Sequence, residues 1–135
     1  MAGRPLPTID DCDTAPFFEA AKRHELAIQL CSRCEAVLHV PRAHCPQCGS
    51  WQTRWQVTNG LGRVYSWTVV EHQVVDGMPT PHTIVLVELE QYPAARLVGH
   101  IPGAPELTPG QLMQVWFEHV NDDVVLPQWK PALSG

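Results

Sequence analysis

Two short stretches of this 135-residue chain carry side chains capable of coordination chemistry, Cys31-Ser32-Arg33-Cys34 and Cys45-Pro46-Gln47-Cys48. Two residues between thiols allow a tight turn to aim both sulfurs at one point, while the turn's own N–H groups stabilise the thiolates. Two such turns, separated by ten residues, supply four sulfurs. That set is the closed tetrahedral shell preferred by structural Zn²⁺. With every position taken by protein, no place remains for water or substrate, so a structural rather than catalytic metal is expected. Its binding energy would help fold a segment too short to build a core of its own. A four-thiolate iron centre is the alternative, and red colour in the purified protein would reveal it.

Gly49, just past the second turn, suits the positive φ that such a knuckle requires. Glu35 occupies the equivalent place after the first turn and suits it poorly. His39 and His44 lie between the knuckles and read as ordinary loop histidines, with replacement of a thiolate as the alternative. Cys12 stands apart and reads as a free surface thiol. With five cysteines in a chain read as cytoplasmic, metal comes before disulfides.

Elsewhere the chemistry is sparse. His72 and His82 bracket a long connection, residues 71–82, with Asp76-Gly77 at its tip. A general base needs an oriented partner and a pocket, and the sequence fixes neither. No Gly-x-Ser-x-Gly elbow, phosphate-binding glycine loop or His-Glu-x-x-His helix occurs. Self-contained catalysis is not expected.

The elements that must position these groups are short. Thirteen prolines and nine glycines favour strands and turns over long helices. Thr14-Ala15-Pro16 can start a helix over Pro16–Arg23, with Thr14 as N-cap. Phe17 and Phe18 on it read as packing against the body, docking on a partner being the alternative. Residues 1–13 read as a mobile lead-in. Leu26–Leu30 reads as a strand entering the cysteine cluster. Arg63–Val70, Thr83–Glu90, Ala95–Ile101, Gln114–Val120 and Val124–Trp129 then read as strands, rich in Val, Ile, Trp and Tyr and separated by Gly, Pro and Asn turns. Five short strands close most economically into a small barrel, which removes free edges. Strict alternation would put Arg63, Tyr65, Trp67 and Val69 on one face of the first, and Val64, Ser66, Thr68 and Val70 on the other.

Composition excludes several classes. Hydrophobic residues make up 44% and charged residues 17%, which is incompatible with a largely disordered chain. No apolar run approaches the roughly 20 residues of a membrane helix, and residues 1–13 lack the apolar region of a signal peptide. The formal charge of −5 is uneven: −3 over residues 1–21, +4 over 22–63 and −6 over 64–135. Four thiolates and one Zn²⁺ would make the total about −7 and the middle segment about +2, so its basic residues partly compensate the metal site. Tyr65 and Trp67 on a barrel strand could stack single-stranded nucleic acid, the competing function class. Stacking platforms come with basic grooves, and an acidic barrel argues against one.

The order of these features resembles a known family. A helix with paired aromatics is followed by LAIQLCSRC…VPRAHCPQCGS, NGLGRVYSWTVV, PHTIVLVELE and VWFEHVNDDVVLPQWKPA. The pattern is similar to zinc-ribbon plus OB-fold proteins formerly catalogued as a domain of unknown function. The resemblance covers about residues 14–132; besides the cysteines it rests on Pro41-Arg42, Gly62-Arg63-Val64-Tyr65-Ser66 and Leu126-Pro127. It implies a mainly β fold: an N-terminal lead-in and helix over 1–25, a rubredoxin-like zinc ribbon over 26–56, and a five-stranded OB-fold barrel with tail over 57–135. It also implies a non-catalytic accessory subunit of a thiolase- or lipid-transfer-type partner. The partner would act on acyl-CoA thioesters, as in steroid side-chain aldolases, thiolase assemblies or acyltransferases. In that role Arg33, Arg42 and Arg54, with the apolar loop residues Val74, Val75 and Met78, would meet the partner or its CoA.

Overall fold

The computed structural model of the chain describes residues 4–132. Among these residues a single helix, α1 (Ala15–Lys22), precedes a hairpin-like pair of strands, β1 (Ala27–Cys31) and β2 (Thr53–Val57). Pro16 sits in the first turn of α1, where a missing N–H costs nothing. Thr14 is the N-cap as expected, but its hydroxyl makes no capping bond. The entry is closed by backbone instead: the N–H groups of Thr14 and Ala15 donate to the Asp11 carbonyl at 3.1 and 2.7 Å.

The described part of the lead-in is docked, contrary to the mobile segment expected. Arg4 reaches the barrel and donates two parallel hydrogen bonds to the Glu118 carboxylate, at 2.8 and 3.0 Å. A fork-on-carboxylate pair fixes orientation as well as distance. The composition of residues 1–13 held no sign of this, because the acceptor lies over a hundred residues away.

Strands β3 (Leu61–Val70), β4 (His82–Leu89), β5 (Arg96–Pro102), β6 (Leu112–His119) and β7 (Val125–Pro131) form an antiparallel sheet in the order β5-β4-β3-β6-β7. Each expected strand is present within two residues of its place. β2 was not foreseen: its sequence, TRWQV, has little apolar content and takes its place by pairing with β1.

The sheet curls so that its edges β5 and β7 meet through side chains. The His100 N–H donates to Gln128 Oε1 at 2.7 Å. A Cβ on Gly99 would lie 2.8 Å from Trp129 Cδ1, so glycine lets β5 come this close to β7. The arrangement is the small barrel anticipated from the strand count and the mainly β, OB-type architecture that the resemblance implies.

Strict alternation fails in β3. The ladder with β4 pairs Val64 with Val87 and then Ser66 with Leu86, leaving Tyr65 as a bulge. The extra residue reverses the faces beyond it, so Val64 is buried and Trp67 also packs on the core, while Tyr65 stands exposed. Arg96 lies over the Tyr65 ring, 4.0 Å from its centroid.

Two buried clusters hold the molecule. The larger joins Leu26, Ile28 and Leu30, on and just before β1, to Val64, Val85, Val87, Leu89, Met113 and Trp129 of the barrel. The ribbon strand is thus part of the barrel's core. The smaller consists of Cys31, Leu38 and Cys45. Among the described residues, no helix is long and apolar enough to cross a membrane.

Candidate functional site

The four cysteines meet. Cys31 closes β1, Cys34 lies one turn later, and Cys45 and Cys48 come from the second knuckle; all four sulfurs lie within 4.8 Å of one another. Cys31 and Cys48 Sγ are 3.6 Å apart, as are Cys34 and Cys45 Sγ. A disulfide needs about 2.05 Å. A tetrahedron with metal–sulfur bonds of about 2.3 Å has edges of about 3.8 Å, so the shell fits one ion.

The local electrostatics fit a cation as well. The N–H groups of Cys34 and Arg33 donate to Cys31 Sγ, each at 3.4 Å, and with help from the neighbouring thiols they draw Cys31 down to about 6 against the cost of its burial. The Ala36 N–H favours the Cys34 thiolate, but burial and the three other sulfurs outweigh it and push Cys34 up to about 12. Four sulfurs this close resist ionising together, and a divalent ion among them removes that conflict.

Both knuckles close with positive φ. Gly49 adopts +76°, as anticipated, and Glu35 adopts +65° despite its side chain. The poor fit of a glutamate is offset from the neighbouring strand. Arg54 on β2 grips the Glu35 carboxylate through both terminal nitrogens and holds its carboxyl below the usual range. The N–H groups of Glu35 and Gly49 donate to the carbonyls of Cys31 and Cys45, at 3.0 and 2.8 Å.

The other residues singled out in the sequence disperse. Arg54 is committed to Glu35. Arg33 and Arg42 are exposed on the ribbon, and Arg42 donates to its neighbour's carbonyl, Val40 O, at 3.3 Å. Val74 is 80% exposed at the loop tip with Val75 beside it, whereas Met78 turns toward the body. His44 lies against Trp51, which is itself 73% exposed, and neither His39 nor His44 joins the sulfur cluster. Cys12 is a free, exposed thiol. His72 is exposed, whereas His82 is buried with its Nδ1 3.1 Å from the Pro79 carbonyl oxygen. Arg63 and Arg96 are paired with Glu90 and Glu88, at 3.7 and 3.2 Å, which neutralises the cations on this face of the barrel.

A second feature escaped the sequence. An apolar cleft of about 580 Å³ lies over the β5–β7 seam, walled by Phe17 and Phe18 of α1, Val40 of the ribbon, Met78, Val98 and Pro127. Its polar lining includes His39 and His100, both held below the ordinary imidazole range chiefly by burial. These residues come from segments far apart in the chain, so no local motif could have disclosed the cleft. The two histidines are the available signal in the sequence, and they lie about sixty residues apart.

A cysteine-knuckle ribbon fused through its first strand to an OB-type barrel defines a class of two-part metal-binding β proteins. Comparison with known proteins narrows it. Residues 18–52 match the family described as "ChsH2, rubredoxin-like zinc ribbon domain", and residues 55–118 match "ChsH2, C-terminal OB-fold domain". The chain is 36% identical over 133 residues to a probable enoyl-CoA hydratase alpha subunit of Thermomonospora curvata, covering 96% of this chain and 40% of that protein. It is 32% identical over 120 residues to the 3-oxo-4,17-pregnadiene-20-carboxyl-CoA hydratase alpha subunit of Mycobacterium tuberculosis, covering 88% and 38%. It therefore spans about two-fifths of the length of these curated relatives. Among solved structures it superimposes on a chain of the Ltp2-ChsH2(DUF35) aldolase with a TM-score of 0.84 and 32% identity, covering 96% of this chain and 100% of that one. A DUF35-family protein of unknown function from Sulfolobus solfataricus shares the fold, with a TM-score of 0.60 and 16% identity over 77% of each. The chain belongs to the ChsH2-type (DUF35) family of zinc-ribbon and OB-fold proteins.

Proposed function

We propose that this chain is a non-catalytic accessory subunit of a thiolase-fold complex acting on acyl-CoA thioesters, with one Zn²⁺ held by Cys31, Cys34, Cys45 and Cys48. The observation that carries the reading is the four-sulfur shell in a chain whose described fold matches, end to end, a chain of the Ltp2-ChsH2(DUF35) aldolase. The names of both curated relatives support the thioester chemistry, since each is named as the alpha subunit of a hydratase of a CoA compound, one of them as a probable one. A closed metal shell offers no open coordination position, which suits a scaffold better than a reaction centre.

The division into a lead-in and helix (1–25), a ribbon (26–56) and a barrel (57–135) follows the β1–β2 pair that closes the metal loop; residues 1–3 and 133–135 of these ranges lie outside the described residues. Exposed Arg33 and Arg42 on the ribbon and Val74 and Val75 at the loop tip are the partner- or CoA-facing groups. Arg54, which also clamps Glu35, and Met78 complete that set. Four reduced thiols suit the cytoplasm.

The test is co-expression with a thiolase-fold, lipid-transfer-type protein encoded beside it. A complex that co-purifies, contains one zinc per chain, and cleaves or transfers an acyl-CoA only when this chain is present is the expected result. A zinc-loaded monomer that leaves the partner's activity unchanged on mixing would refute the reading.

A further inference from the structure

We propose that His24 and His119 form an open, two-imidazole site for a divalent late transition-metal ion of the nickel or copper kind, separate from the four-thiolate shell. The Nε2 atoms of the two rings face each other at 2.7 Å, although the residues lie 95 positions apart in the chain. Imidazole nitrogen is a preferred donor for such ions. Both rings are exposed, so an ion reaches them from solvent.

The backbone holds His24 ready for this use. It stands just beyond the C-terminus of α1, where the N–H groups of His24 and Glu25 donate to the carbonyls of Ala21 and Ala20, each at 2.9 Å. In that turn His24 takes a φ of +60°, a conformation for which glycine is the usual residue because a Cβ is strained there. A histidine kept at a glycine position points to a use for its side chain. Its ring lies flat on Phe117 of β6, 7° from parallel with centroids 5.2 Å apart, and Phe117 packs on the barrel's core. The stack sets the plane of the His24 ring, and His119 follows Phe117 by two residues on the same strand. In the hydrogen-bonded pair one ring donates its Nε2–H to the other. Coordination moves that proton to Nδ1, so both Nε2 lone pairs turn to the ion and no proton need leave.

The spacing selects the kind of metal. Two bonds of about 2.05 Å at a right angle put the nitrogens about 2.9 Å apart, whereas a tetrahedral angle puts them about 3.3 Å apart. The observed 2.7 Å lies closer to the right-angled pair, the arrangement of tetragonal and octahedral Ni²⁺ and Cu²⁺. An exposed imidazole swings through the remaining few tenths of an ångström. The surroundings suit a cation, because the end of α1 carries the partial negative charge of its last carbonyls. Arg23, the adjacent cation, is engaged by Glu25 at 3.0 Å. No third His, Cys, Asp or Glu ligand atom joins the pair among the described residues, so the other coordination positions take water. The site is open where the thiolate shell is closed.

The proposal goes beyond the accessory role and does not depend on it. The test titrates Ni²⁺, which does not oxidise thiols, into the untagged, zinc-loaded full chain carrying C12S. That substitution removes the exposed thiol grouped with Asp11 and Asp13, the competing cluster. Paramagnetic broadening of backbone amide resonances locates the ion. One Ni²⁺ per chain is expected, with broadening centred on residues 23–25 and 117–120 and the zinc content unchanged. H119A should weaken binding about tenfold or more, since even the loss of a group behind a ligand costs that much. H24G should do the same while keeping the fold, because glycine adopts the positive φ freely. Binding that survives both substitutions, broadening centred on residues 10–13 or on another histidine, or zinc released from the thiolates would overturn the proposal. So would the absence of saturable broadening. Failure to co-purify with a partner leaves each of these results unchanged, so the two readings fail separately.

Discussion

The ribbon and the barrel solve the same folding problem by different physics. The barrel closes over a contiguous apolar cluster with Trp129, Met113, Val85 and Val87 fully buried. The ribbon between its two strands buries only Leu38 beside two of its cysteines. Its conformational entropy is offset by metal coordination rather than by apolar area. Yet the two regions are not independent, because Ile28 and Leu30 on the ribbon's first strand lie in the barrel's core. Loosening the metal loop therefore pulls on a strand that the barrel needs. A small metal site can stabilise a larger neighbour when one strand belongs to both.

The largest test of that comparison removes the metal. Substituting buried Cys45 by serine, or adding a strong chelator, should abolish metal content and unfold the ribbon, forfeiting binding energy on the order of 10 kcal/mol. Metal analysis together with the indole N–H NMR resonance of Trp129, assigned by its loss in Trp129→Phe, reads both regions at once. Loss of the Trp129 signal on chelation confirms the shared core; an unchanged signal means the barrel stands alone.

Truncation of tryptophans separates core from surface. Trp129→Ala should cost about 3–5 kcal/mol in denaturant unfolding, since Trp129 is 2% exposed. Trp51→Ala, at 73% exposure on the ribbon, should change stability by about 0.5 kcal/mol or less. If the two variants matched, the assignment of the core to the barrel would be wrong.

The seam offers a smaller effect. Gly99→Ala places a Cβ 2.8 Å from Trp129 Cδ1 and should destabilise by about 1–3 kcal/mol through forced separation of β5 and β7. Adding Trp129→Phe should recover part of that loss, which a double-mutant cycle would measure.

The smallest is a titration. Burial alone would raise the Glu118 carboxyl, but Arg4 and Gln128 outweigh it and hold it below the usual range. A carboxyl depressed in the folded state contributes stability above its unfolded value and loses it as pH falls through the folded value. Stability should thus decline below about pH 4.5 more steeply in the natural chain than in Arg4→Ala. Identical profiles would show that the lead-in does not brace the barrel.

How much of this was legible follows from the range of each interaction. The cysteine pairs were readable because spacing within a knuckle is local, and so were five strands with turn residues between them. β2 was not, since TRWQV acquires its strand form only by pairing with β1. The Tyr65 bulge was not, because alternation along β3 cannot register a ladder that slips against β4. Glu35 looked unsuitable for its turn until Arg54, from another strand, appeared beside it.

By itself the sequence determined the ligand set and the order of short strands, both written in residue type and local spacing. The tertiary structure decided what long-range contact alone can decide. Arg4 found Glu118, Gly99 admitted Trp129, the ribbon's first strand entered the barrel's core, and Phe17, Val98 and His100 came together around one cleft. The physical reason is that coordination and turn geometry act over a few residues, whereas burial depends on which distant surfaces the closed barrel brings face to face.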